Sequence, residues 1–122
     1  MDDICLKNYA HLGDAIWELF VREKTVFKTQ KAKNLHALTT KHVCAGFQAD
    51  LLNFLQEKLS DSEKDLVRMA GNIPVPVARR NMQKEYRLST SFEALLGWCY
   101  INDKKRLEEL FNLISNSDIF LL

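Results

Sequence analysis

The chain lacks several features that would place it in a protein class at once. It has no apolar run long enough to cross a bilayer, so no transmembrane helix and no membrane partner are predicted. With only four glycines it has no glycine-rich phosphate loop, which argues against a nucleoside-triphosphate enzyme. The first residues, Met1-Asp-Asp-Ile-Cys-Leu6, lack the basic region of a secretory signal. We therefore expect a cytoplasmic protein.

Cysteine is also sparse. Cys5, Cys44 and Cys99 are far apart and form no CxxC pair, so neither a zinc site nor a disulfide framework is predicted. All three lie among apolar residues, where a buried free thiol is the simpler interpretation. The three histidines are equally scattered and lack metal-ligand spacing to one another. The sequence therefore indicates no soft-metal or redox site.

Excess charge of one sign is missing too, because the net charge is only +1. The charges are nevertheless segregated, since residues 22–42 and 79–87 are basic whereas residues 50–65 are acidic. Such segregation allows a local basic surface despite the near-neutral total. An ordinary solvated face explains the charges equally well.

The pattern that remains is almost entirely helical. Apolar residues recur at helical spacing, and no strand pattern of any length is present. Pro74 and Pro76 exclude a regular helix around them, so residues 73–81 are predicted to form a loop. We expect one all-α domain over residues 1–122, with helices at about residues 7–24, 34–45, 46–59, 60–71, 90–102 and 104–114.

Two acids, Asp14 and Glu93, interrupt helical runs that are apolar almost all the way round. A helix that is apolar on every side is normally buried, and an ionised carboxylate there is costly unless a partner or a metal compensates it. Carboxylates from two helices offer the hard oxygen ligands that Mg²⁺ and Mn²⁺ prefer. Such a centre can activate a bound water and stabilise charge on a phosphoryl group. The pair therefore predicts one metal centre inside a helical domain.

Each acid also has a structural explanation. Glu93 follows Thr90 at capping-box spacing, so its carboxylate could bond back to the Thr90 backbone N–H at a helix start. Asp14 could instead form a buried salt bridge, for instance with Arg22 or Arg87. The two acids alone do not decide between a metal centre and these structural roles.

Two segments resemble the signature helices of the ribonuclease III endonuclease domain. They are Leu12-Gly-Asp-Ala15, followed by Glu18, and Phe92-Glu-Ala-Leu-Leu-Gly97. The finer resemblance is to the Mini-ribonuclease III group, the short bacterial form without a double-stranded-RNA-binding domain. It rests on Tyr86-Arg-Leu-Ser-Thr-Ser-Phe-Glu-Ala-Leu95 and extends over roughly residues 9–114.

The chain departs from full-length ribonuclease III at three places. Ala10 replaces an acid of the first signature, and Thr90 replaces an aspartate of the second. Residues 71–81 differ from the glycine- and lysine-rich loop expected there. Of the usual acids only Asp14 and Glu93 remain, which leaves the number of metal ions open.

The resemblance implies an all-α endonuclease that works as a homodimer and cleaves double-stranded RNA. It further implies Mg²⁺ as cofactor, with Mn²⁺ as a substitute, and a role in maturing the 23S ribosomal RNA precursor. A ribosomal protein is a candidate further partner. Asp14 and Glu93 are the predicted catalytic metal ligands, with Glu18 and His11 as candidates for supporting roles. Basic residues are the candidates for RNA contact: Lys33, Lys41, Arg79, Arg80, Lys84 and Arg87.

Two rival interpretations are of a different class. The missing acids favour a non-catalytic module that binds RNA but does not cleave it. A helical dimerisation protein with no RNA partner is the other. Cleavage that depends on Mg²⁺ separates the enzyme from both rivals, and salt-sensitive binding of a duplex separates the two rivals from each other.

Overall fold

The computed structural model describes residues 5–122, and within that range it contains α-helices, short 3-10 helices and loops but no strand. Residues 1–4, on which the prediction of no secretory signal largely rested, lie outside the described residues. The all-α prediction is confirmed. The helices are α1 (Leu6–Thr25), α2 (Ala32–Val43), α3 (Ala45–Leu55), α4 (Asp61–Ala70), α5 (Gln83–Asn102) and α6 (Lys104–Ser115).

The loops agree with the sequence only in part. The loop predicted over residues 73–81 is present only as far as residue 76, because a 3-10 helix, Val77–Met82, follows it and continues directly into α5. A second 3-10 helix, Gln56–Lys58, ends the third predicted helix early. No helix in the described range has both the length and the apolarity needed to span a membrane.

Helix α5 is the central element and packs against α1, α3, α4 and α6. Phe92 and Leu95 are fully buried there and share one core with Trp17 of α1 and Leu51 of α3. The indole N–H of Trp17 donates to the carbonyl of His42 at 2.8 Å, which ties the end of α2 to α1. The prediction that the segment around Glu93 is central and buried is therefore confirmed.

Helix α1 corrects the expectation of a helix buried on every side. Its buried residues, which include Gly13 and Trp17, follow helical spacing along one face. On the opposite face Ala15 is exposed and Leu19 is 62% exposed, and Asp14, at the edge of the buried face, is exposed as well. Apolar residues also occur on exposed faces of helices, so the sequence of α1 is apolar on all sides although only one face is packed against the rest of the protein.

Helix α5 begins at Gln83, seven residues before the predicted start at Thr90. The Thr90 hydroxyl donates to the carbonyl of Tyr86 at 3.0 Å, within the helix, so Thr90 is not a capping residue. The prediction was wrong because residues 83–89 contain no helix breaker and simply extend the helix backward. The predicted capping box of α4 is confirmed, since the Ser60 backbone N–H donates to Glu63 at 2.8 Å and the Glu63 N–H donates to the Ser60 hydroxyl at 3.2 Å.

The cysteines are all free thiols, as predicted. Only Cys99 is buried, whereas Cys5 and Cys44 are exposed, so the prediction of three buried thiols was wrong for those two. Both lie at helix starts, Cys5 before α1 and Cys44 between α2 and α3, where apolar neighbours in sequence do not imply burial. Burial raises the pKa of the Cys99 thiol to about 12, so this thiol stays protonated at neutral pH.

Candidate active site

Two glycines allow α1 and α5 to cross with their backbones in contact. A Cβ atom on Gly13 would overlap the carbonyl group of Glu93, and one on Gly97 would overlap the carbonyl group of Tyr9. The chain directions are antiparallel at this crossing, because Tyr9 meets Gly97 and Gly13 meets Glu93. Since Asp14 follows Gly13 directly, the crossing itself brings its side chain beside that of Glu93. This explains physically why a glycine precedes the aspartate.

The two acids line two neighbouring cavities. The larger, of about 600 Å³, lies between the junction of α2 and α3 and the start of α5, and Arg79 and Tyr86 contribute to its wall. The smaller, of about 260 Å³, is bounded by Lys7 and the prolines of the loop after α4. Asp14, Tyr86 and Glu93 belong to both cavities. A substrate entering from either side would meet the same carboxyl pair.

The environment of the pair favours a shared proton. Burial, together with repulsion from the adjacent Asp14 carboxylate and a carboxyl–carboxyl hydrogen bond, raises the pKa of Glu93 to about 8. A hydrogen bond from the side chain of Gln48 acts in the opposite direction. Near neutral pH and without a cation, Glu93 is therefore largely protonated beside Asp14.

The structural explanations for the two acids can now be tested. Glu93 lies in the third turn of α5, so it cannot belong to a capping box at the start of that helix. Arg22 pairs with Glu18 at 2.8 Å, and Arg87 donates to the carbonyl of Gly71 at 2.6 Å. Within residues 5–122 no ion pair joins Asp14 to a basic side chain. The acid pair is thus left without the structural roles that the sequence allowed.

The two supporting candidates differ in position. His11 lines the smaller cavity beside Asp14 and Glu93. Glu18 lies one turn further along α1, lines neither of these cavities, and is engaged by Arg22. The structure therefore brings His11 to the acid pair but not Glu18.

Sequence reasoning missed Ser89, which lines the larger cavity together with Gln48. The Ser89 hydroxyl donates to Oε1 of Gln48 at 2.7 Å, and both side chains are buried. Ser89 precedes Glu93 by four residues, a spacing that places both on one face of a helix. The spacing could have found Ser89, but only once α5 is known to begin before residue 89.

The six residues predicted to contact RNA differ in burial and in their distance along the chain from residues of the larger cavity. Arg79 lines the larger cavity, and Lys41 lies one turn before Cys44, which lines the same cavity. Arg87 is half-buried and holds the carbonyl of Gly71, which is a structural contact. Five of the six are exposed: Lys33, Lys41, Arg79, Arg80 and Lys84.

The carboxyl pair fits a hard divalent cation. The two adjacent carboxyl groups share a proton, and a divalent cation can replace that proton. Their oxygen atoms are the ligands that such a cation prefers. Within residues 5–122 no group of three or more His, Cys, Asp and Glu side chains is arranged to hold a metal ion. A cation here would therefore keep several waters, as Mg²⁺ usually does, and would take few ligands from the protein.

Comparison with known proteins agrees with this arrangement. The ribonuclease III domain family matches residues 7–104. Relatives named Mini-ribonuclease 3 include one from Gloeobacter violaceus, 38% identical over 90% of this chain and 82% of the relative. Another, from Thermosynechococcus vestitus, is 36% identical over 87% of this chain and 70% of the relative.

A solved structure shows the same fold. It is a crystal structure of a protein from Fusobacterium nucleatum, with a TM-score of 0.85. The match covers 96% of this chain and 97% of that chain at 24% identity, so it supports a shared fold and nothing further. The family match over residues 7–104 and the Mini-ribonuclease 3 relatives lead to one assignment: the chain belongs to the ribonuclease III family, within its Mini-ribonuclease 3 group.

Proposed function

We propose that the protein is a Mg²⁺-dependent endoribonuclease that cleaves double-stranded RNA, with Mn²⁺ as a substitute cation. The match of residues 7–104 to the ribonuclease III domain family supports cleavage of double-stranded RNA by a cation-dependent dimer, which the resemblance implies. The observation that carries the proposal is the carboxyl pair of Asp14 and Glu93, forced together by the glycine crossing and opening onto two cavities.

Asp14 and Glu93 are the residues that would hold the cation. A bound Mg²⁺ lowers the pKa of a coordinated water and stabilises charge on the phosphoryl group. Glu93 must lose its proton to act as a ligand, and the hydrogen bond from Gln48 favours that charged form. Asp14 is the more exposed of the two.

The exposed basic residues form the proposed RNA surface. Arg79 lines the cavity that contains the acid pair, so we expect its guanidinium to bind a phosphate near the scissile bond. Duplex RNA is recognised mainly through its shape, its phosphates and its 2′-hydroxyls, so exposed cations suffice without base contacts. We assign this role to the exposed basic residues: Lys33, Lys41, Arg79, Arg80 and Lys84.

The biological setting forms the finer part of the proposal. We infer that two copies form a homodimer in which each site cuts one strand of the duplex. The proposed natural substrate is the 23S ribosomal RNA precursor in the cytoplasm, with a ribosomal protein as a candidate further partner. The relatives named Mini-ribonuclease 3 support this setting by kinship.

Cleavage of an end-labelled RNA duplex tests the proposal. We expect the wild-type protein to cut it with Mg²⁺, to leave 5′-phosphate ends, and to stop when a chelator is added. Binding of the duplex without cleavage under any divalent cation would instead favour the RNA-binding module. Absence of both binding and cleavage would favour the dimerisation protein.

A second measurement tests the RNA surface. Arg79→Ala should weaken duplex binding for all sequences and reduce the slope of log affinity against log salt by about 1 unit. The matched control is Lys28→Ala, since Lys28 is an exposed cation in the loop after α1. An Arg79 variant that binds as well as the Lys28 variant would remove Arg79 from the proposed surface.

A further inference from the structure

One buried amide connects the candidate active site to three helices. Gln48 of α3 is only 2% exposed although its side chain is polar. Its Nε2 donates to the carbonyl of Val43 at the end of α2 at 3.0 Å, and its Oε1 accepts from the Ser89 hydroxyl of α5 at 2.7 Å. Gln48 and Glu93 line the same larger cavity, and hydrogen bonding by the Gln48 side chain lowers the pKa of Glu93.

The partners fix the orientation of this amide. The carbonyl of Val43 can only accept a hydrogen bond, so it selects the Nε2 end of Gln48. The hydroxyl of Ser89 supplies its proton to Oε1 and thereby holds the other end. A primary amide has two N–H groups, and one of them is used by Val43. The N–H that remains is a donor, which is the polarity that a carboxylate of Glu93 requires.

We propose that Gln48 is a positioning residue that holds the Glu93 carboxylate in its cation-binding orientation, and that Ser89 in turn holds Gln48. The proposal rests on the proposed function, because it assigns a role toward the cation. If the free N–H of the amide holds one oxygen of Glu93, the other oxygen is available for a cation shared with Asp14. Groups that orient metal ligands in this way commonly change metal affinity by about 10–100-fold when they are removed.

A purely structural role is the alternative, because the amide also joins α3 to α2 and α5. Ser91 provides a matched control for that alternative. It lies two residues after Ser89 on α5, is buried, and donates its hydroxyl to the carbonyl of Val67 at 2.7 Å. Ser91→Ala therefore removes a buried hydrogen bond of the same kind on the same helix, at a position that lines neither cavity of the acid pair.

The experiment measures Mn²⁺ binding by electron paramagnetic resonance in Gln48→Met, Ser89→Ala, Ser91→Ala and the wild type. The thermal unfolding midpoint of each variant is recorded beside it. We expect the dissociation constant to rise about tenfold in Gln48→Met and about threefold in Ser89→Ala, and to stay within about twofold in Ser91→Ala. Unchanged Mn²⁺ affinity in a folded Gln48→Met would overturn the proposal, as would equal losses in the two serine variants. If Gln48→Met does not fold, the comparison of the serine variants decides alone.

The same preparations are assayed for duplex cleavage, which separates the two proposals. Wild-type protein that binds Mn²⁺ but cuts no duplex would refute the proposed function, while the affinities still decide the role of Gln48. Wild-type protein that cuts, together with a Gln48 variant that cuts with an unchanged Mg²⁺ requirement, would refute the positioning role alone. The expected result is a higher Mg²⁺ requirement in Gln48→Met and Ser89→Ala.

Discussion

Replacing Glu93 by glutamine should make the metal-free protein more stable at alkaline pH. The amide copies the shape of the protonated acid and can still donate to Asp14 and accept from Gln48. It removes the need to ionise a buried carboxyl beside a second one. The substitution should at the same time remove a ligand of the cation and therefore activity.

The size of the effect follows from linkage. The pKa of Glu93 is about 8 in the folded protein against an ordinary value of 4.5, so the folded state binds the proton more tightly than the unfolded state. Stability from this group is therefore fully present below pH 4.5 and is lost as pH rises toward 8. The difference between these two pKa values corresponds to at most about 5 kcal/mol of folding free energy at 1.36 kcal/mol per pH unit. Because water reaches the carboxyl through the cavities, we expect about 1–3 kcal/mol.

Urea denaturation in chelator, at pH 5 and at pH 8.5, measures this prediction. The two proteins should differ little at pH 5, and Glu93→Gln should be more stable at pH 8.5. Added Mg²⁺ should narrow the gap by stabilising the wild type alone. The control is Glu108→Gln, which changes an exposed acid on α6. A gap that is equal at both pH values, or a Glu93→Gln protein that is less stable at pH 8.5, would refute the reasoning.

Two further predictions concern the scaffold. Gly13→Ala should lower the free energy of unfolding by about 3 kcal/mol, since its Cβ would overlap the Glu93 carbonyl, whereas Gly46→Ala should change it by less than about 1 kcal/mol; equal midpoints in urea would contradict this. Burial would raise the pKa of Glu63, but hydrogen bonds from Arg106 and Ser60 hold that pKa below 4.5. The stability that this carboxylate provides is therefore present above pH 4.5 and is lost as pH falls through the folded-state pKa. Arg106→Met should therefore destabilise by about 2 kcal/mol at pH 7 and much less at pH 3, and a pH-independent loss would show that packing is responsible.

The sequence predicts most of the helices because their boundaries carry local signals. Ser60 and Glu63 mark the start of α4, and both of their capping hydrogen bonds are present. The same spacing at Thr90 and Glu93 misleads, because helix-forming residues precede Thr90 and carry α5 back to Gln83. A capping pattern indicates a helix start only where the preceding residues stop a helix, and nothing in residues 83–89 does so.

The candidate site is predictable in part for a similar reason. Asp14 and Glu93 stand out as acids among apolar residues, and the structure does bring them together. Asp14 is exposed, however, so its predicted burial was wrong. What joins them is the backbone contact of Gly13 with Glu93, which depends on two distant segments and has no local signal. Ser89 belongs to the site for the same non-local reason, since only the register of α5 directs it toward Gln48.

We propose that the Asp14–Glu93 pair catalyses metal-dependent cleavage of double-stranded RNA. The most direct test compares the Mg²⁺-dependent cleavage rate of wild type and Glu93→Gln on one end-labelled RNA duplex, with folding of the variant checked by its unfolding midpoint. We predict cleavage by the wild type and a loss of at least about 1,000-fold in a variant that is folded and more stable in chelator at pH 8.5. Comparable cleavage by Glu93→Gln, or no cleavage by the wild type with Mg²⁺, would contradict the account.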